Sequence, residues 1–207
     1  MEIKSLIEDL SFNIQSEEKL GEVWSFEEFV AILKDNPKIV LRNIFQLFRD
    51  MIKDYIGEGI NEYPDDPETI HYKLYNYSKV FEIGQQPFFA DRPFGNRFVR
   101  WAENLGQGIQ QNKIHNFEGP SGCGKSTFLN NLLEVFENYT ETQEGRIFEV
   151  FWMLGEEGKE EFKVPCPSHD HPILIIPKKY RVGFLEGLIT GNFKEKLFNE
   201  REYNWVF

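Results

Sequence analysis

Apolar residues recur at helical spacing through the first third of the chain. Ile3 to Leu20 carries them three or four positions apart, which predicts an amphipathic helix. Ser25 and Glu28 have the spacing of a capping box, in which each side chain accepts a hydrogen bond from the other residue's backbone. They predict the start of a second helix, which ends at Asn36 because Pro37 follows.

A wide apolar band from Ile39 to Ile56 predicts one longer helix, ended by Gly57. The polar, proline-punctuated stretch 61–67 then separates this helical region from the remainder of the chain. The pattern predicts an N-terminal helical module over residues 1–66 and a second domain over residues 67–207.

The second domain is predicted to belong to the α/β class. Its predicted elements are a helix from Pro93 to Leu105, a short strand from Lys113 to Phe117, a helix from Phe128 to Phe136, a buried strand from Arg146 to Leu154, and an acidic loop from Gly155 to Glu161.

The segment between the first predicted strand and the helix after it fits the phosphate-binding pattern G-x-x-x-x-G-K-[ST]. Glycines permit the positive φ angles that turn successive N–H groups toward phosphate oxygens. Lys125 would reach the β- and γ-phosphates, and the Ser126 hydroxyl would ligate Mg²⁺. The predicted ATP-binding residues are Gly119, Pro120, Ser121, Gly122, Cys123, Gly124, Lys125, Ser126 and Thr127, with Ser126 also the metal ligand.

Composition narrows the classes of partner. The chain has 23 basic and 34 acidic residues, a net charge of −11, and no cluster of Lys and Arg, which argues against nucleic acid. Its apolar runs are too short to span a membrane, and the N-terminus lacks a secretory core. Two cysteines, Cys123 and Cys166, cannot form a disulfide framework. We therefore expect a cytoplasmic protein.

Phosphoryl transfer also needs an acidic residue at the end of an apolar strand, and the sequence has no clear example. Glu149 and Glu156 are the nearest candidates, so a small, self-contained P-loop phosphotransferase or NTPase stays an alternative. A further alternative is a non-enzymatic protein. Its N-terminal helices, which contain Phe29, Phe45 and Phe48, would dock a partner, and its loop would bind nucleotide as a structural ligand.

Cysteine and histidine side chains lie close together in the segment after the acidic loop. Cys166, His169 and His171 include the spacing of half a zinc site, but four ligands are needed. A reduced surface turn is the favoured interpretation, so these residues stay outside the predicted site.

With these motifs in view, the chain resembles the PrkA-type serine protein kinases of bacteria, which are built on an AAA+ ATPase core. The resemblance runs from about Trp24 to Phe207. Its carriers are Ser25 to Phe29, the loop Glu118 to Thr127, the segment Val164 to His169 with Pro172 to Pro177 behind it, and the closing Glu202 to Phe207.

This resemblance implies the fold of a P-loop NTPase of the AAA+ type with an incomplete core. It implies MgATP as ligand, protein serines as substrates and homo-oligomers in the full-length protein. It also implies that the magnesium acid, the arginine finger and a second Cys-x-x-Cys pair lie beyond Phe207, which leaves open whether these residues alone are catalytic. An ATP-driven remodelling or proteolytic role is a further alternative.

Overall fold

The computed structural model describes residues 23–66, 72–83, 86–109, 112–154, 162–189 and 205–206. The helix predicted for Ile3 to Leu20 and the acidic loop Gly155 to Glu161 lie outside these residues. No helix in the described ranges has the length and apolar content needed to cross a membrane.

The described residues are mainly helical, with one small antiparallel sheet of two strands. This agrees with a partly formed α/β P-loop domain. The elements are α1 (Phe26–Asp35), α2 (Pro37–Val40), α3 (Ile44–Ile56), α4 (Ser78–Phe81), α5 (Arg92–Gly106), α6 (Lys125–Thr140), β1 (Phe151–Leu154), β2 (Phe162–Pro165), a 3-10 helix (Pro172–Ile175) and α7 (Lys178–Leu188).

The capping box predicted at the start of α1 is confirmed. The Ser25 N–H donates to the Glu28 carboxylate at 2.7 Å, and the Glu28 N–H donates to the Ser25 hydroxyl at 3.3 Å. The Glu28 carboxylate accepts from the Ser25 N–H and also from the Ser25 hydroxyl, and these two hydrogen bonds hold its pKa below the usual range. The helix ends at Asn36, as the following proline predicted.

The single helix predicted from Ile39 to Ile56 is wrong, because the structure divides it into α2 and α3. Asn43 lies between them with extended backbone and accepts hydrogen bonds from the N–H groups of Phe45 and Gln46. Its side chain therefore caps a new helix at a point where the apolar pattern continues without a break. The predicted end at Gly57 is confirmed, with φ at 75°.

One aromatic core joins α3, α5 and α6. Met51 and Ile52 of α3 are buried in it, although α3 belongs to the predicted N-terminal module. The predicted domain boundary after residue 66 stays a prediction. Residues from both sides of it pack in this one core. The fully or largely buried members of this core are Leu47, Met51, Ile52, Ile56, Val80, Phe81, Phe98, Val99, Ala102, Phe128, Leu132, Val135 and Tyr139.

A second core joins the first and last described helices, α1 and α7. His171 lies inside it, with its Nε2 donating to the Val40 carbonyl at 2.8 Å and its Nδ1 accepting from the Ile173 N–H at 3.2 Å. The rings of Phe29 and Trp205 pack edge-on against the imidazole. Burial lowers the pKa of His171 to about 4, since a charged imidazolium would lose its hydration there.

The two strands predicted from sequence need correction. Residues 113–117 do not form the predicted strand, and Ile114 is 98% exposed. The rings of His115 and Phe117 instead pack against Trp101 of α5. The strand predicted from Arg146 to Leu154 covers only Phe151–Leu154, and Trp152 is exposed. Short apolar runs predict burial only when a partner strand covers them, and their own residues do not specify that partner.

The buried imidazole of His171 predicts pH-dependent folding. The folded pKa, about 4, lies below the ordinary value of 6.5, so protonation favours the unfolded chain. Its stabilising contribution is complete above pH 6.5 and is lost as the pH falls toward 4. We expect the free energy of unfolding, measured with urea, to fall by at most about 3 kcal/mol across this window.

The control variants replace one histidine at a time. His171→Gln keeps a donor for the Val40 carbonyl but does not titrate, so its stability should depend less on pH. His169→Gln alters an exposed side chain and should keep the native dependence. Identical pH profiles for His171→Gln and the native chain would contradict the assignment.

Candidate nucleotide-binding loop

The loop between Gly119 and Lys125 has its shape fixed by two glycines. Gly122 and Gly124 have φ angles of 80° and 83°, in the left-handed region that side chains with a Cβ rarely adopt. A Cβ on Gly119 would lie 2.7 Å from the Cys123 sulfur, so a larger residue here would have to displace that side chain. The glycines predicted from sequence therefore meet real conformational or steric demands.

Helix α6 begins directly at the end of this loop. Gly124 is its N-cap residue and contributes no side-chain cap, and the first turn contains no acidic residue. The first helical hydrogen bond to Gly124 comes from the N–H of Phe128 at 2.8 Å. The N–H groups of Lys125, Ser126 and Thr127 precede it, and they form the positive end of a 16-residue helix. This arrangement favours an anion.

The Lys125 ammonium group lies over the loop backbone. Its Nζ donates to the carbonyls of Gly119 and Pro120, each at 2.8 Å, and lies 3.6 Å from the Cys123 sulfur. The side chain is exposed, so it can exchange these carbonyl oxygens for phosphate oxygens. The positive charge of Lys125 and the N-terminus of α6 therefore lie at the same place, next to the loop.

Ser126 is exposed at the first turn of α6, and Thr127 beside it is half-buried. Within the described residues, no group of three or more His, Cys, Asp or Glu side chains could hold a metal ion. Mg²⁺ binds through few protein oxygens and keeps several waters when substrate phosphates supply the other ligands. The hydroxyl of Ser126 fits that kind of site.

Two residues that the sequence analysis missed hold the loop in place. The Phe88 ring lies against Gly124, 3.1 Å from the position that a Cβ there would occupy. Asn131, buried on α6, donates through Nδ2 to the carbonyls of Phe81 and Gln86 at 2.9 and 3.0 Å. An asparagine on the core-facing side of a helix was the available signal for this role.

Of the two candidate magnesium acids, Glu156 lies outside the described residues. The structure pairs Glu149 with the imidazole Nδ1 of His169 on the surface. The contact is with a histidine rather than with the phosphate loop, so the geometry gives Glu149 no role in magnesium binding.

The three residues considered as zinc ligands, Cys166, His169 and His171, contact different groups. Hydrogen bonds from the Asp170 backbone, and then from the hydroxyl and backbone of Ser168, lower the pKa of the Cys166 thiol. His169 is exposed at a left-handed turn with φ at 49°, whereas His171 uses both ring nitrogens inside the second core. The three side chains do not converge on one point, but only His169 fits the surface turn that the sequence favoured, because Cys166 is buried and His171 packs in the second core.

Comparison with known proteins gives a partial likeness. The chain is 38% identical over 83 residues to the phosphate import ATP-binding protein PstB of Mycoplasmoides gallisepticum, covering 37% of the chain and 24% of that protein. It is 41% identical over 66 residues to PstB of Malacoplasma penetrans, covering 30% and 22%.

The chain therefore spans less than a quarter of the length of these curated relatives. No protein-family profile matches it, and no solved structure matches it. The two similarities support a P-loop ATPase that binds ATP, and they lend no support to the resemblance to PrkA-type kinases.

Replacing Gly124 with alanine tests the loop conformation. Gly124→Ala should destabilise the chain by about 1–2 kcal/mol, because a left-handed residue with a Cβ is strained and because the added methyl would press on Phe88. Gly183→Ala is the matched control: its Cβ meets open space in α7, so it should stabilise by up to about 1 kcal/mol. Urea unfolding measures both, and equal effects would argue against the left-handed loop.

Proposed function

We propose that the loop from Gly119 to Thr127 binds MgATP as the nucleotide site of a P-loop ATPase. The observation that carries this proposal is the Lys125 ammonium group held at 2.8 Å from two loop carbonyls, at the N-terminus of a long helix. A cation and a set of N–H donors converge there, and a chain of phosphates is the ligand that uses both.

Each loop residue then has a distinct part in binding. The N–H groups at the left-handed glycines Gly122 and Gly124 line the path of the phosphates, and Lys125 gives up its carbonyl partners for the β- and γ-phosphate oxygens. Ser126 would hold Mg²⁺ together with those oxygens. When bound, the metal supplies charge neutralisation and polarises the terminal phosphate.

Transfer of the γ-phosphoryl group to protein serines is the finer proposal, and it comes from the resemblance to PrkA-type kinases. In the same way, protein substrates and assembly into homo-oligomers remain proposals for the whole protein. In this proposal, the described residues bind the nucleotide and orient it. An acidic residue that would activate an attacking hydroxyl is not among the contacts that the described loop makes, so nucleotide binding is the better supported conclusion.

A titration with a fluorescent ATP analogue in the presence of Mg²⁺ tests the site. Lys125→Ala should weaken binding by about 100-fold, near 3 kcal/mol, because it removes a charge-assisted contact to the phosphates. Lys113→Ala removes an exposed lysine from the segment leading into the loop and should leave the affinity unchanged. Equal affinity of Lys125→Ala and the native chain would refute the proposal.

A further inference from the structure

Three consecutive apolar side chains of β1 are exposed. Trp152, Met153 and Leu154 are 55%, 47% and 55% exposed. Because successive side chains of a strand point to opposite faces, both faces of β1 meet solvent along these residues. Val164, which lies opposite Trp152 on β2, is also exposed. Exposed apolar residues that adjoin one another, rather than scattered ones, are typical of a contact with another chain.

The sheet that contains these residues is very small. Among the described residues, β1 and β2 are four residues long and pair only with each other. Two isolated strands are marginally stable in water, and further strands stabilise them. Another strand added to one edge would therefore stabilise this sheet.

The outer edge of β1 has backbone groups that can pair with such a strand. The Cys166 N–H donates to the Val150 carbonyl at 2.8 Å, which sets the alternation of the antiparallel ladder. The backbone groups of Trp152, two residues further along, therefore face β2. The N–H and C=O groups of Phe151 and Met153 face the outer edge.

The outer edge of β2 is protected from pairing. Pro165 lies opposite Phe151, so by the same alternation its nitrogen faces outward, and a proline nitrogen carries no hydrogen. Lys163, opposite Met153, is the other residue of β2 whose backbone faces outward. Proline and lysine on an edge strand both oppose the addition of another strand. The sheet can therefore be extended at β1.

A second copy of this chain has the right chemistry for the edge of β1. Each copy has a net charge of −11, so two copies repel unless they meet through an uncharged surface. Residues 150–154 contain no charged side chain. The acidic segment 155–161 follows β1 directly in the sequence, and antiparallel pairing puts the segments of the two copies at opposite ends of the joined strands. Parallel pairing would bring them together.

We propose that two copies of the chain associate by antiparallel pairing of their β1 strands, with Trp152 on the two-fold axis. In this register Phe151 of each copy pairs with Met153 of the other, so the outward N–H and C=O groups of both residues are used. The two Trp152 side chains then lie directly opposite each other, and the two small sheets become one sheet of four strands. The contact is short, so the dimer is weak and depends on concentration. This inference is independent of the nucleotide site.

Sedimentation velocity of the full 207-residue chain, from about 10 µM to 1 mM, tests the dimer. The native chain should pass from monomer to dimer across this range. Trp152→Lys and Trp152→Glu each place like charges opposite each other on the axis, so each variant alone should raise the dimer Kd at least about tenfold. An equimolar mixture of the two should recover the dimer, because opposite charges then meet. Tyr180→Lys, at an equally exposed aromatic residue of α7, should dimerise like the native chain.

Recovery in the mixture is the decisive result, because it requires residue 152 of one copy to meet residue 152 of the other. A native chain that stays monomeric up to 1 mM, single variants that dimerise like the native chain, or a mixture that stays monomeric would each overturn the proposal.

Met153→Pro decides the question if circular dichroism shows that either charge variant is unfolded. It removes an outward N–H from β1 without adding charge, and the hydrogen bonds to β2 stay in place. Its dimer Kd should also rise at least about tenfold. A folded Met153→Pro variant that dimerises like the native chain would overturn the proposal.

Discussion

The proposed nucleotide site depends on a backbone constraint, the left-handed conformation of Gly122 and Gly124. These two φ angles turn the chain so that it enters α6 without a side-chain cap at the helix N-terminus. The N–H groups of the first turn are then left for a ligand, and Lys125 folds back over the same turn. In this proposal, anion binding comes from the backbone, and the lysine adds one full charge.

This small loop is supported by a large aromatic core. Helix α6 begins at the loop and, one turn later, buries Phe128, whose ring contacts Phe88 and Phe98. The Asn131 side chain hydrogen-bonds the segment that places Phe88 against Gly124. A change in core packing is therefore expected to alter the loop, because the same helix serves both.

Sequence predicted the elements that depend on local chemistry. The capping box of Ser25 and the positive φ angles of Gly122 and Gly124 depend on neighbouring residues, and these predictions were confirmed. Gly119 does not have the positive φ expected of it. The break at Asn43 was missed because its cap interrupts a continuous apolar band. The strand predicted for residues 113–117 was wrong because pairing requires a distant partner, and the support from Asn131 is equally non-local. A buried asparagine in a helix signals that such a contact exists, but the sequence pattern does not identify its partner.

Amide chemical shifts of an isotope-labelled chain, followed during titration with MgATP, test the central claim most directly. The account predicts that the largest changes fall on the N–H groups of Gly122, Gly124, Lys125, Ser126 and Thr127, because these groups would donate to phosphate oxygens. Saturable changes confined to this loop would support it. A titration that leaves these amides unmoved, or that moves only the amides of residues 114–118, would contradict it.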